Sequence, residues 1–217
     1  MTKPFGEIVE STLTTFKSQC WQWDNVPPFG SILVTTNESI QIFGITAHIQ
    51  TGSNDPGRYP YAYQKTEEEL KKEQPQIFAL LQTVVSSVII GYRKHEDSYY
   101  QLPEHTPKIH SFVRPATTEE IQSFFANPLY LHVLFGNATL PVSNDELLLG
   151  LLTQLFAANA ITESHLYEFI HTYSALSKSD YRRLKLFCQR VQTLVDKSPL
   201  REINIAIEPS SLSQQEL

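Results

Sequence analysis

Two short apolar runs separated by a polar break mark residues 30–50 as a pair of β-strands. Residues 30–36 form one run and residues 40–49 the next, with Thr36-Asn37-Glu38-Ser39 as the turn between them. Residues 83–92 carry the strongest strand signal, because their Val and Ile suit a pleated, half-buried surface and the run ends near Gly91. Tyr99, Tyr100 and Leu102 suggest a further short strand, and residues 109–113 run extended up to Arg114-Pro115. Residues 7–19 are amphipathic without a clear period; Cys20-Trp21-Gln22-Trp23 follows, and Pro27-Pro28 closes the segment. Short strands joined by turns in this order predict a small closed barrel.

From Thr117 the period changes. Thr117 and Glu120 have capping-box spacing, in which hydroxyl and carboxylate each satisfy an orphan amide, ahead of Ile121, Phe124 and Phe125. The same spacing at Thr66 and Glu69 opens an earlier helix over about residues 67–73, and Pro75 starts another turn through Leu81. Ser143 and Glu146 repeat it before Leu147, Leu148, Leu151, Leu152, Leu155 and Phe156. Thr162 opens a helix with Leu166, Phe169, Ile170, Tyr173 and Leu176 on one stripe. Ser177 and Asp180 box another, with Leu184, Phe187, Cys188, Val191, Leu194 and Val195 inward. These steps predict broad buried faces that pack on one another. Ile203, Ile205 and Ile207 alternate with polar residues as an edge strand would, and the last ten residues are polar and expected to be mobile. The expected fold is therefore α+β. A small N-terminal antiparallel β-barrel occupies residues 1–115, an α-helical C-terminal region residues 116–200, and a short strand with a tail residues 201–217.

Composition narrows the function classes. At 217 residues, 41% hydrophobic and 18% charged, the chain is globular in kind and needs no metal or disulfide to fold. A net charge of −6 argues against a general nucleic-acid binder, which needs dense Lys and Arg, though not against one local basic face. Cys20 and Cys188 lie far apart without metal or redox spacing, which predicts buried thiols in a reducing compartment. The opening residues carry no long apolar run and the most apolar segment, 147–155, is too short to span a bilayer; a cytoplasmic protein is expected.

The β half resembles the HerA–ATP synthase barrel, or HAS-barrel, found at the N-terminus of HerA-type ring ATPases and of rotary ATP synthase subunits. The residues that carry the likeness are Gly30-Ser31-Ile32-Leu33-Val34, Ile42-Phe43-Gly44-Ile45-Thr46 and Val88-Ile89-Ile90-Gly91-Tyr92. The Pro-rich approach from Pro103 to Pro107 before Phe112-Val113-Arg114-Pro115-Ala116-Thr117 adds to it. The whole chain is also similar to small stand-alone proteins of this barrel type seen in cyanobacteria, in which helices follow the barrel and the ATPase domain is lacking. Ring ATPases follow their barrel with a P-loop, and no Gly-x-x-x-x-Gly-Lys-Ser/Thr run occurs here. The resemblance thus implies a barrel used for ring assembly or for docking other proteins, without ATP hydrolysis.

Candidate residues fall in three groups. The loop from Gly52 onward and the polar-aromatic edge after it, with Asp55, Arg58, Tyr59, Tyr61, Tyr63 and Lys65, is the leading protein-binding candidate. Tyr and Arg join large contact area to directional hydrogen bonds, and Tyr59, Tyr61 and Tyr63 alternate so that their rings share a side. The plain alternative is a barrel loop with half-buried tyrosines. The helix over 178–197 is the one net-positive stretch, and Arg182, Arg183, Lys185 and Arg190 could grip phosphate or an acidic partner; a solvated helix face is the plainer reading. His95, His105 and His110 lie near Glu96, Asp97 and Glu104, but their spacing lacks the tight ligand pattern of zinc sites, so no metal is expected. No Gly-x-Ser-x-Gly elbow is present, and Glu67, Glu68 and Glu69 fit a helix start better than paired catalytic carboxylates. The expectation is a non-enzymatic protein-binding or assembly module without cofactor, with a protein partner and no membrane, and with homo-oligomerisation left open. The rivals are a nucleic-acid accessory factor using residues 178–197 and an enzyme of unrecognised type using residues 95–110.

Overall fold

The computed structural model describes residues 2–55, 57, 60–136, 142–177, 180–203 and 205. Its strands are β1 (Gly6–Ser11), β2 (Thr15–Cys20), β3 (Ile32–Asn37), β4 (Ile40–Ser53), β5 (Leu81–Lys94), β6 (Asp97–Tyr99) and β7 (Phe112–Pro115). All pairings are antiparallel. They run β1–β2–β5–β4–β3–β7 and return from β7 to β1, so six strands close a barrel. β6 folds back on the end of β5, beyond the point where β2 leaves it. Closure removes the unpaired edges of an open sheet.

The β3–β4 hairpin turns through Glu38, whose φ of 56° takes the left-handed conformation the tight connection needs. Residues 7–19, undecided in the sequence, form the β1–β2 hairpin. A register shift between Ile8 and Glu10 breaks the alternation of β1, and Ser18 points inward among apolar neighbours, so no clean period is visible. The Thr12 hydroxyl accepts the Thr14 and Thr15 amides at 3.2 and 3.0 Å and turns the chain.

Two apolar layers form. Phe5, Ile8, Phe16, Leu33, Ile42, Val85, Ile89 and Val113 fill the barrel. The outward faces of β3, β4 and β5 (Ile32, Val34, Phe43, Ile45, Ala47, Val88, Ile90) join the helices in a second continuous cluster. Strands β1, β2 and β7 contribute nothing to that cluster, so the helices cover one side of the barrel only.

The helices are α1 (Glu67–Glu73), α2 (Gln76–Ala79), α3 (Thr118–Phe125), α4 (Tyr130–Gly136), α5 (Asn144–Ala157), α6 (Glu163–Leu176) and α7 (Tyr181–Val195). The capping boxes at Thr66–Glu69 and Thr117–Glu120 are both complete. At α5 only half the expected box forms: Ser143 accepts the Glu146 amide, while the Glu146 carboxylate pairs with Arg190 at 2.7 Å instead. At α7 the expected Ser177–Asp180 box is corrected. Ser177 caps the end of α6, and Asp180 is itself the N-cap, accepting the Arg183 amide at 2.9 Å. α4 has no forewarning because seven residues hold too few turns for a period; Asn127, accepting the Leu129 amide at 3.0 Å, starts it. Of the expected C-terminal strand, Asn204, Ala206 and Ile207 lie outside the described residues. Ile203 and Ile205 are bound through their backbone by the Gln192 carboxamide of α7, at 3.0 and 2.8 Å. Among the described residues no helix is long and apolar enough to cross a membrane.

An ion pair fixes the joint where barrel passes into helices. Arg114 of β7 donates to both carboxylate oxygens of Glu120 at 2.7 and 2.6 Å, with side chains only 14% and 13% exposed. Gln41 of β4 adds a hydrogen bond at 3.3 Å. Burial works to raise the Glu120 carboxyl, but the Arg114 guanidinium and the Thr117 amide outweigh it and hold the group below its ordinary value. Because the folded value is depressed, the stabilisation is present above the ordinary carboxylate range and is lost as pH falls through the folded value. Glu120→Gln is expected to cost about 2 kcal/mol at neutral pH, and the deficit is expected to shrink progressively as pH falls below the ordinary carboxylate range. Urea unfolding across that range checks it, and a deficit that stays constant into acid would exclude this role.

Candidate functional site

The residues predicted from sequence are dispersed. Arg58 and Tyr59 lie outside the described residues. Asp55 sits in a local turn, its carboxylate accepting the Gly57 amide at 2.9 Å while its own amide donates to the Ser53 hydroxyl at 3.1 Å. Tyr61 and Tyr63 do share a side: their rings lie 4.3 Å apart, Tyr61 is 69% exposed, and the neighbouring Tyr61 phenol raises the Tyr63 pKa. Lys65 is tied to Glu73 of α1 by an ion pair. This edge is therefore a small exposed tyrosine pair beside a helix start.

The basic helix α7 is partly committed to structure. Arg183 donates through Nε and Nη2 to Asp145 at 3.0 and 2.7 Å, and Tyr173 donates to the same carboxylate at 2.9 Å. Arg190 holds Glu146. Both acids stand in the first turn of α5, so two of the four candidate cations clamp α5 to α7. The hydrogen bonds that Arg183 donates to Asp145 push its pKa upward, and burial, then Asp145, does the same for Tyr173. Among the described residues Arg182 and Lys185 make no ion pair; Arg182 borders an open groove of about 690 Å³ that also touches Leu186 and Gln189.

The histidine region does not converge. His95 occupies the β5–β6 turn with φ of 57°, His110 meets Glu7 of β1 at 3.1 Å, and His105 is exposed near Glu38. Among the described residues no three His, Cys, Asp or Glu side chains form a group able to hold a metal. Burial pushes the thiols of Cys20 and Cys188 up to about 11, which keeps them protonated and unreactive at neutral pH.

The barrel side left uncovered by helices carries a feature the sequence did not flag. Trp21, just beyond β2, and Phe112, the first residue of β7, meet edge to face with ring centroids 5.2 Å apart. They are 50% and 59% exposed. β1 lies between their strands: Gly6 pairs with Cys20 on one side and with Val113 on the other, and Glu7 pairs with Phe112. The Trp21 amide is fixed on the Phe5 carbonyl at 2.9 Å. Ile109 and Val9 are also exposed. No model of a known protein family matches the chain, and no curated protein is significantly similar to it.

Val9 also borders an open groove of about 610 Å³ on the outer faces of β1, β2, β5 and β4. In it Lys17, Ser86 and His48 stand opposite one another on three adjacent strands, and Lys17 pairs with Glu10 at 2.8 Å. Aromatic rings beside a polar, charge-balanced groove favour contact with another macromolecule, since they offer large apolar area with directional groups around it. Trp21 and Phe112 are far apart in sequence, and only the pairing of β1 with both β2 and β7 brings them together. An outward aromatic at the end of each strand was the one signal available in the sequence.

Proposed function

We propose that this chain is a non-enzymatic protein-binding or assembly module that docks a partner on the uncovered side of its barrel. The observation that carries this reading is the exposed Trp21–Phe112 pair. Both apolar clusters are complete without these rings, so packing does not account for their position. Exposed Trp and Phe, fixed by strands and flanked by polar groups, are the side chains that dominate binding energy at protein interfaces. The edge over residues 52–65, with Tyr61, Tyr63 and Lys65, and the helices offer further contact surface. A ring-forming complex is the partner class implied by the barrel resemblance, and that identity rests on the resemblance alone, because many unrelated families share small barrels.

Affinity capture from native lysate at physiological salt, comparing the wild-type chain with a Trp21→Ala/Phe112→Ala variant, tests the reading. Loss of two interface anchors is expected to weaken recovery of a stoichiometric partner about a hundredfold. Equal recovery by the two chains, with near-UV circular dichroism showing the variant folded, would overturn it.

A further inference from the structure

Ser18 on β2, Thr46 on β4 and Ser87 on β5 are fully buried, and none of their hydroxyls has a hydrogen-bond partner among the described residues. Register places all three together. Ser87 lies opposite Phe16 on one side and Thr46 on the other; Ser18 lies opposite Val85, two residues from Ser87. Phe16 and Val85 belong to the cluster that fills the barrel, so the hydroxyls share that inner face. Thr46 and Ser87 are directly opposed, with Cβ atoms about 5 Å apart, and Ser18 and Ser87 are diagonal at about 7 Å; each is a separation that one small bridging molecule spans, whereas Ser18 and Thr46 stand two strands apart on either side of β5.

The backbone around them is already committed. The Thr46 amide donates to the Ser31 carbonyl and its carbonyl accepts from Gly30, both at 2.9 Å, while Ser18 and Ser87 stand within the unbroken β2–β5 ladder. A buried hydroxyl without a partner is costly, and natural interiors satisfy such groups with protein or ordered water. We propose that the barrel encloses ordered water centred on Ser87, bridging it to Thr46 on one side and to Ser18 on the other. Water is the ligand this chemistry selects. Each hydroxyl both donates and accepts, an internal water needs two to four polar partners, and an apolar guest would leave all three unmet. An ion would find no counter-charge, since the described fully buried polar residues include no charged side chain.

The consequence is a polar layer across β2, β5 and β4, adjacent to the register shift between Thr46 and His48. A one-residue slip of any of these strands would turn its hydroxyl out of the barrel, so the bound water pins the register that closes it.

The test pairs two measurements on the intact chain. Water-to-protein nuclear Overhauser effects on the wild type are expected to show a long-lived water beside the Thr46 and Ser87 protons. In urea unfolding, Thr46→Val is expected to lower the folding equilibrium constant about tenfold by stripping the water of a partner. Ser87→Ala is expected to do the same, and the double variant to lose less than the two combined, because both act on one molecule. A barrel that is dry predicts the reverse: no long-lived water, and a Thr46→Val chain more stable than wild type. That result overturns the proposal. Should Thr46→Val fail to fold, Ser18→Ala, which leaves β4 unchanged, is read in the same way.

Discussion

Phe124→Ala is expected to lower the unfolding free energy by about 4 kcal/mol, the scale for deleting a fully buried aromatic ring whose site cannot collapse. Phe124 of α3 is fully buried and stacks on Phe43 of β4 with centroids 4.2 Å apart and planes 14° from parallel. Tyr100 packs on it at 5.0 Å and donates its hydroxyl to the Phe124 carbonyl at 2.7 Å, and Phe125 meets it at 5.5 Å. The strand beneath is shaped for the ring. Gly91 of β5 has φ of 148°, and a Cβ there would lie 3.0 Å from the Phe124 ring and 2.4 Å from the Tyr99 carbonyl oxygen. The rigid strand on one side and the aromatic neighbours on the other leave little to move into the gap. Urea unfolding followed by tyrosine fluorescence measures the loss, and an unchanged midpoint would mean that α3 is not anchored to the barrel as described.

Gly30→Ala is expected to cost about 3 kcal/mol, through overpacking and backbone strain acting together. Gly30 has φ of 80°, and a Cβ there would fall 2.2 Å from the carbonyl carbon of Gly150 in α5. Backbone meets backbone at this point, so no rotamer change relieves the clash, and α5 must shift from the β3–β4 face. Gly150→Ala should cost less. Its Cβ meets the Phe29 ring at 2.7 Å, a side chain that can rotate, and Ala gains helix propensity over Gly of about 1 kcal/mol. Gly52→Ala, with nothing within 4 Å of its Cβ, serves as a near-neutral control. A Gly30 variant as stable as that control would contradict the close approach of α5.

These two contacts also show what the sequence could disclose. β3, β4 and β5 were legible because β-branched runs on a barrel wall buried on both faces read as continuous apolar strands. α1 and α3 were legible because their capping residues act locally, within one turn. The β1–β2 hairpin was not, because a bulge at Ile8/Glu10 and an inward Ser18 place polar residues where the period asks for apolar ones. Gly30 against Gly150 and Trp21 against Phe112 depend on pairings between remote segments, which no local pattern contains. The basic residues of α7 were visible as charges, but the commitment of Arg183 and Arg190 to Asp145 and Glu146 appears only once α5 and α7 pack. Of the tyrosine edge, the shared side of Tyr61 and Tyr63 was legible from their alternation.

The place where a partner contacts this chain decides between these surfaces. Hydroxyl-radical footprinting of the captured complex against the free protein measures it directly, because exposed Trp and Phe are strong reporters of solvent access. Protection centred on Trp21 and Phe112, extending to Ile109 and Val9, is the predicted result. Unchanged labelling of Trp21 and Phe112, with protection confined to Tyr61 and Tyr63 or to Tyr181 and Leu186 on α7, would contradict the account and move the docking surface elsewhere.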